Sequence, residues 1–165
     1  MLAWQVGQLL ESKDIEIETA MTFPTLAFLG IGLMGKPMAT RLTHAGFTLH
    51  AWNRSADKSE ALRAAGAIPH ADLCEAVGDA DIVISILAAG PAVGEVLDTA
   101  LPALKPGALW IDMSSTRQDE AMDFHGRLAQ AGCRFIDAPV SGGVVGAEAG
   151  LLAIMAGGAA ADFRD

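Results

Sequence analysis

Gly30, Gly32 and Gly35, in "LAFLGIGLMGKPMATRL", stand inside an apolar run and are followed at once by Lys36 and Pro37. Such a turn keeps side chains away from something the backbone approaches closely. In a G-x-G-x-x-G spacing the first glycine permits a tight turn. The second lets the main chain approach a pyrophosphate, and the third lets a helix pack closely on the preceding strand. A helix N-terminus adds free N–H groups and a partial positive charge, which suit an anion. The same residues also read G-x-x-x-x-G-K, most of a nucleotide-hydrolase phosphate loop. That motif needs Ser or Thr next to hold Mg²⁺ through a hydroxyl, and Pro37 has neither hydroxyl nor N–H. Dinucleotide binding and a merely structural glycine turn are the two readings left. The placement between a strand and a helix favours the first.

The second stretch with chemistry is Trp52-Asn53-Arg54-Ser55. A carboxylate at the end of the second strand would bond the ribose hydroxyls of NAD and repel a 2′-phosphate. None stands here. Arg54 can pair with a phosphate and stack on adenine, and Ser55 can donate to it. The preferred cofactor is therefore NADP, with NAD possible. The bland alternative is that Ser55 only caps the next helix and Arg54 is solvated. A third stretch, "DAPVSGG", places the Ser141 hydroxyl beside the main-chain N–H groups of Gly142 and Gly143, enough to hold a carboxylate without a charged side chain. A ligand-free glycine turn is the competing reading. Asp112 and Asp137 end strands, where capping or turn roles outweigh proton transfer. His44, His50, His70 and His125 have no metal-ligand spacing, and Cys74 and Cys133 form no CxxC, so none is assigned chemistry and no metal is expected.

These residues need elements to hold them. "TLAFLG", "FTLHAW", "DIVISIL", "ALWIDMS" and "RFIDAP" read as strands, with "LLAIMAGG" a last strand-like run. "GKPMATRLTHAG", "SADKSEALRAAG" and "TRQDEAMDFHGRLAQAG" read as helices, with "PAVGEVLDTALPAL" a broken one and "AAADFRD" the start of another; Ser55 and Gly66 bound the second helix. Strand–helix alternation with short glycine-containing links predicts an α/β fold. It is a Rossmann-type, doubly wound, mostly parallel sheet with helices on both faces. Residues 1–20 are set apart as an extension of uncertain structure, and residues 21–165 as the dinucleotide-binding domain.

The 165 residues suit one domain, and 52% hydrophobic with 19% charged residues reads as a well-packed core. A net charge of −9 argues against nucleic acid and anionic membrane surfaces. No apolar run approaches the length of a membrane span, and the N-terminus lacks the basic start of a secretory signal, so a reduced, cytoplasmic setting is expected.

Four stretches resemble the β-hydroxyacid dehydrogenases, which include 3-hydroxyisobutyrate dehydrogenase. "FLGIGLMGKPMA" resembles the cofactor turn, "WNRS" the second-strand end of NADP-using members, "IDMSS" the segment beside the nicotinamide, and "IDAPVSGGVVGAEAG" the substrate loop. The resemblance implies hydride transfer between a nicotinamide and a small carboxylate-bearing hydroxy acid or its oxidised form. It implies cofactor contacts from Gly30, Gly32, Leu33, Met34, Gly35, Asn53, Arg54 and Ser55. Leu87 and Ala88 belong by the nicotinamide ribose and Ser115 near the nicotinamide. Substrate contacts fall to Ser141, Gly142 and Gly143. Where Ala88 stands the family commonly has proline, which leaves that loop less rigid. Imine reductases share the first two stretches and are the related alternative. The family's catalytic lysine lies on a later helix; Lys13, Lys36, Lys58 and Lys105 match no such position. The resemblance thus implies a cofactor domain whose helical partner domain, catalytic lysine and oligomer-forming surface are absent from this chain, with Leu151 and Ile154 left undercovered. A stand-alone NADP-binding module without turnover is the second function class.

Overall fold

A computed structural model describes residues 23–163. The expectations for residues 1–20 lie outside them. The elements follow in the order β1 (Leu26–Leu29), α1 (Gly35–His44), β2 (Leu49–Trp52), α2 (Ala56–Glu60), β3 (Ile68–His70), α3 (Leu73–Val77), β4 (Ile82–Ser85), α4 (Gly90–Ala100), β5 (Leu109–Asp112), α5 (Gln118–Gln130), β6 (Arg134–Asp137), β7 (Val140–Ser141), α6 (Gly143–Ala149), β8 (Ala153–Ile154) and β9 (Gly157–Gly158).

Strands β1 to β6 run parallel in the order 3-2-1-4-5-6, with β9 antiparallel on the β6 edge, while β7 and β8 form a separate antiparallel pair. This is the doubly wound Rossmann arrangement, and its strand order reverses between β1 and β4. The central strand β1 is buried along its whole length, which is why it is continuously apolar. Side chains alternate between two cores. Ala27, Leu29, Val83, Trp110 and Phe135 pack with Val77 of α3, Val93 and Leu97 of α4, and Phe124 and Leu128 of α5. Phe28, Leu49, Ala51 and Ile84 pack with Ala39 of α1 and Leu62 on the opposite face.

Three local expectations are corrected. The helix expected from Ser55 to Gly66 stops at Glu60 and resumes as a 3₁₀ turn over Arg63–Ala65. Inside it the Ser59 hydroxyl donates to the Ala56 carbonyl at 2.8 Å, a bond that competes with the helical ladder. The run "LLAIMAGG" divides into β8 and β9, which pair with different partners, β7 and β6. The helix expected to begin in "AAADFRD" is a turn over residues 160–163, closed by the Asp162 N–H on the Ala159 carbonyl. Elements β3, α3, β7 and α6 have no counterpart in the sequence reading. Each is short. Helix α3 did carry a start signal, since the Asp72 carboxylate accepts from the Cys74 and Glu75 N–H groups.

No helix among the described residues is long and apolar enough to cross a membrane. Leu151, Ile154, Met155 and Phe163 are exposed at the C-terminal end of the fold.

Candidate functional site

The carboxyl ends of β1, β2 and β4 surround a cleft of about 470 Å³ at the point where strand order reverses. Its floor is the glycine turn. Gly30 has φ +102°, and a Cβ there would overlap the Ile86 carbonyl oxygen. A Cβ on Gly35 would overlap the carbonyl of Gly30, so this glycine brings α1 close to β1. Gly32 differs. No atom lies within 4 Å of the place its Cβ would take, yet it lines the cleft. Protein packing therefore explains two of the three glycines and leaves the third open toward a ligand. The N–H groups of Gly32, Leu33, Met34 and Gly35 have no protein partner among the described residues. Leu33, Met34 and Gly35 also line the cleft.

Asn53 lines the cleft, and its amide is already engaged on one N–H and one lone pair. Its Oδ1 accepts the Ile31 N–H at 2.9 Å, and its Nδ2 donates to the Ser55 carbonyl at 3.1 Å. The amide ties the glycine turn to the turn after β2. Ser55 occupies the N-cap position of α2, but its hydroxyl makes no capping bond. Ser55 and Arg54 are exposed and line the cleft, and the Ser55 hydroxyl and the Arg54 guanidinium have no partner among the described residues. Lys58, in the first turn of α2, lines the same cleft. Sequence reasoning passed over Lys58, although its place in the first turn of the helix after Arg54 was a signal available. Glu95 is the single carboxylate of the lining, against two cations, so the cleft is locally positive on a chain of net charge −9.

The third wall is Ile86, Leu87 and Ala88, the loop after β4. Behind it lies a buried polar network at the ends of β4 and β5, where Ser85 and Asp112 are register partners. Asp112 Oδ1 accepts from the Ser85 hydroxyl at 2.7 Å, the Ser114 hydroxyl at 2.6 Å and the Ser114 N–H at 3.2 Å. Among the described residues Asp112 Oδ2 has no partner, nor has Oδ1 of Asp137, its register partner on β6. Burial pushes the Asp112 carboxyl above its usual range, against the pull of the serine hydrogen bonds. Burial, then the charge of Asp112, pushes Asp137 up as well.

Ser115 is exposed and lies outside the cleft lining. Ser141 ends β7, and Gly142 and Gly143 open α6 with φ +135° and +59°. All three are exposed and also lie outside that lining. His50 and His70, left without a role, stack on neighbouring strands with ring nitrogens 2.8 Å apart. Burial, then the charge of His70, lowers the pKa of His50. No group of three or more His, Cys, Asp or Glu among the described residues is placed to hold a metal ion.

The profile of the family described as the NAD binding domain of 6-phosphogluconate dehydrogenase matches residues 25–165. The chain is 41% identical over 136 residues to an NAD-dependent L-serine dehydrogenase of Pseudomonas aeruginosa, covering 81% of this chain and 46% of that protein. It superposes on the structure of Mycobacterium tuberculosis 3-hydroxyisobutyrate dehydrogenase with L-serine at a TM-score of 0.84 and 37% identity, over 86% of this chain and 49% of the other. Psf3 in complex with NADP⁺ and 2-OPP gives a TM-score of 0.79 at 31% identity, over 84% and 50%. The chain thus spans about half the length of the relatives it matches. With its doubly wound sheet and glycine turn, it belongs to the family of the NAD binding domain of 6-phosphogluconate dehydrogenase.

Proposed function

We propose that this chain is the cofactor-binding portion of an oxidoreductase acting on a small hydroxy acid, and that it prefers NADP to NAD. The observation that carries the preference is the end of β2. Arg54 is exposed and unpaired among the described residues, with Ser55 and Lys58 on the same cleft and no carboxylate at position 53. A 2′-phosphate there meets two cations and a hydroxyl, whereas the NAD ribose meets no acceptor of the usual kind. The residues present fit a dinucleotide. Gly32 leaves room for close approach, and four N–H groups beside it await an anion. The bound nicotinamide would accept or supply the hydride.

The rest of the reaction needs a group to move the hydroxyl proton. Lys58 lines the cofactor cleft, and Lys105 pairs with Asp81 at the opposite end of the sheet. Lys36 stands in the first turn of α1 beside the glycines, and Lys13 lies outside the described residues. We assign proton transfer to none of them. By relation to the serine and hydroxyisobutyrate enzymes, the substrate class is a small hydroxy acid, its carboxylate held by Ser141, Gly142 and Gly143, with Ser115 near the nicotinamide. Titration calorimetry of the 165-residue chain with NADPH and NADH tests the cofactor reading. Tighter binding of NADPH by about ten- to hundredfold is expected. Equal affinities would remove the preference, and no binding of either would remove the reading itself.

A further inference from the structure

We propose that Ser114, anchored on Asp112, is the positioning residue that fixes the Ile86–Ala88 wall of the cofactor cleft. The inference rests on the reading of that cleft as a dinucleotide site.

The hydrogen-bond directions are forced. The Leu87 N–H can only donate, and it donates to Ser114 Oγ at 2.9 Å. The indole N–H of Trp110 can only donate, and it donates to Ser85 Oγ at 2.8 Å. Both serine hydroxyls must therefore pass their own hydrogens to Asp112 Oδ1, at 2.6 and 2.7 Å. Two donor chains converge on one carboxylate oxygen. Ser85 and Asp112 are fully buried and Ser114 is 1% exposed, so water does not compete for these bonds. One chain ends inside the core, on Trp110. The other ends on the main chain of the cleft wall.

Ile86 is fixed by its own N–H on the Leu29 carbonyl, and the Ile86 and Leu87 side chains pack against the two cores; beyond Ile86 the main chain has fewer ties. Leu87 N–H to Ser114 is the only hydrogen bond tying residues 87 and 88 to the rest of the fold among the described residues. Ala88 and Ala89 bring no side-chain constraint, and Pro91 comes only after α4 has begun. The wall also touches the floor. The Ile86 carbonyl and the Leu87 side chain border the space that a Cβ on Gly30 would take. A shift of Leu87 would therefore disturb both that wall of the cleft and the glycine turn. The hydroxyl of Ser114 supplies the fixed point.

The test uses Ser114→Ala, Ser114→Thr and Asp112→Asn in the 165-residue chain, with two readouts. The first is amide hydrogen exchange at Leu87, compared with the Ile84 amide in the core. The second is the affinity for NADPH and for NADH. Ser114→Ala should speed exchange at Leu87 selectively and weaken both cofactors alike, by about three- to tenfold, because the wall serves the part they share. The NADPH-to-NADH ratio should not move. Ser114→Thr keeps the hydroxyl and should restore both readouts. Asp112→Asn keeps an acceptor at Oδ1 and should hold Leu87 protected, which a proton-transfer role for Asp112 does not require. If Ser114→Ala is too unstable to study, the nearly isosteric Ser114→Cys, a weak acceptor, should show a smaller loss of the same sign. Unchanged Leu87 exchange with intact cofactor affinity in Ser114→Ala overturns the brace alone. Failure of the unaltered chain to bind either cofactor overturns the site reading, and with it the purpose given to the brace.

Discussion

The two halves of the carboxyl rim use their polar groups in opposite ways. Around β1 and β2 the groups are left over: four N–H groups of the glycine turn, the Arg54 guanidinium and the Ser55 hydroxyl have no partner among the described residues. Around β4 and β5 they are largely consumed: Trp110, Ser85, Asp112, Ser114 and Leu87 close on one another, with Asp112 Oδ2 the atom of these side chains left over among the described residues. Folded proteins pair their polar groups wherever water is excluded, so a run of unpaired ones along a cleft marks the face kept for a ligand. A closed network marks the scaffold that holds that face. Serine and aspartate at a strand end do not by themselves distinguish the two. The direction of their hydrogen bonds does.

The largest effects should come from the glycines, where the same substitution separates scaffold from ligand face. Gly30→Ala forces a side chain into the Ile86 carbonyl at a positive φ, and Gly35→Ala forces one into the Gly30 carbonyl. Both obstacles are main chain and cannot rotate away. Each variant should lose about 3 kcal/mol or more of stability, or fail to fold. Gly32→Ala meets only open space. It should melt within a few degrees of the unaltered chain yet bind NADPH at least about tenfold more weakly, since the methyl stands where a pyrophosphate would approach. Thermal melts with calorimetry check both. A Gly32→Ala variant with full cofactor affinity would mean the open space is not the ligand's.

The glycine turn could be read from the sequence because its reasons are local: a strand, a reversal and a helix within about a dozen residues. The doubly wound, mostly parallel class was legible for the same cause, through the alternation of strands and helices, whereas the strand order was not. What stayed hidden depends on long-range pairing. Asn53 was legible as a residue at the cofactor cleft, but not that its amide also ties Ile31 to Ser55, 22 and 2 positions away. Ser114 drew no notice beside Ser115, because its partner Leu87 lies 27 residues upstream. Short elements such as β3 and α3 depend on neighbours for their burial, so three to five residues of apolar pattern did not announce them, and for α3 the Asp72 cap was the local signal.

The next effect in size sharpens the ligand face. Arg54→Ala should cost NADPH about ten- to hundredfold and leave NADH nearly unchanged, and Lys58→Ala should act in the same direction but more weakly. Asn53→Asp behaves differently from a simple charge swap. Its carboxylate keeps the Ile31 N–H but faces the Ser55 carbonyl without a proton to give. It should weaken NADPH through repulsion and loosen the turn that carries Arg54, so any gain for NADH is blunted. Calorimetry on the three variants decides. Equal loss of both cofactors in Arg54→Ala would assign Arg54 to adenine stacking or to the fold.

The smallest effect contrasts two aspartates on opposite ends of the sheet. Asp81, just before β4, accepts the Thr25 N–H at 2.8 Å and pairs with Lys105 at 3.0 Å. These partners, the Thr25 N–H first, hold its carboxyl below the usual range. Its contribution to stability is present above the unfolded pKa of about 3.9 and is lost as pH falls through the folded value. Asp112 runs the other way. Burial raises its carboxyl, so its contribution is present below about pH 3.9 and is lost as pH rises through the folded value, when a charge must stay inside. Stability relative to the unaltered chain should therefore slope in opposite senses. Asp81→Asn should lose ground as pH rises from 3 to 7, by no more than about 1 kcal/mol because the pair is half exposed. Asp112→Asn should gain ground over the same range. It keeps the acceptor that Ser85 and Ser114 need, and it relieves Asp137 of a neighbouring charge. Urea unfolding at intervals across that range reads both slopes. A flat difference for Asp112→Asn would mean that its hydrogen bonds hold the buried carboxylate ionised as readily as water does, and the contrast between a scaffold carboxylate and a surface one would vanish.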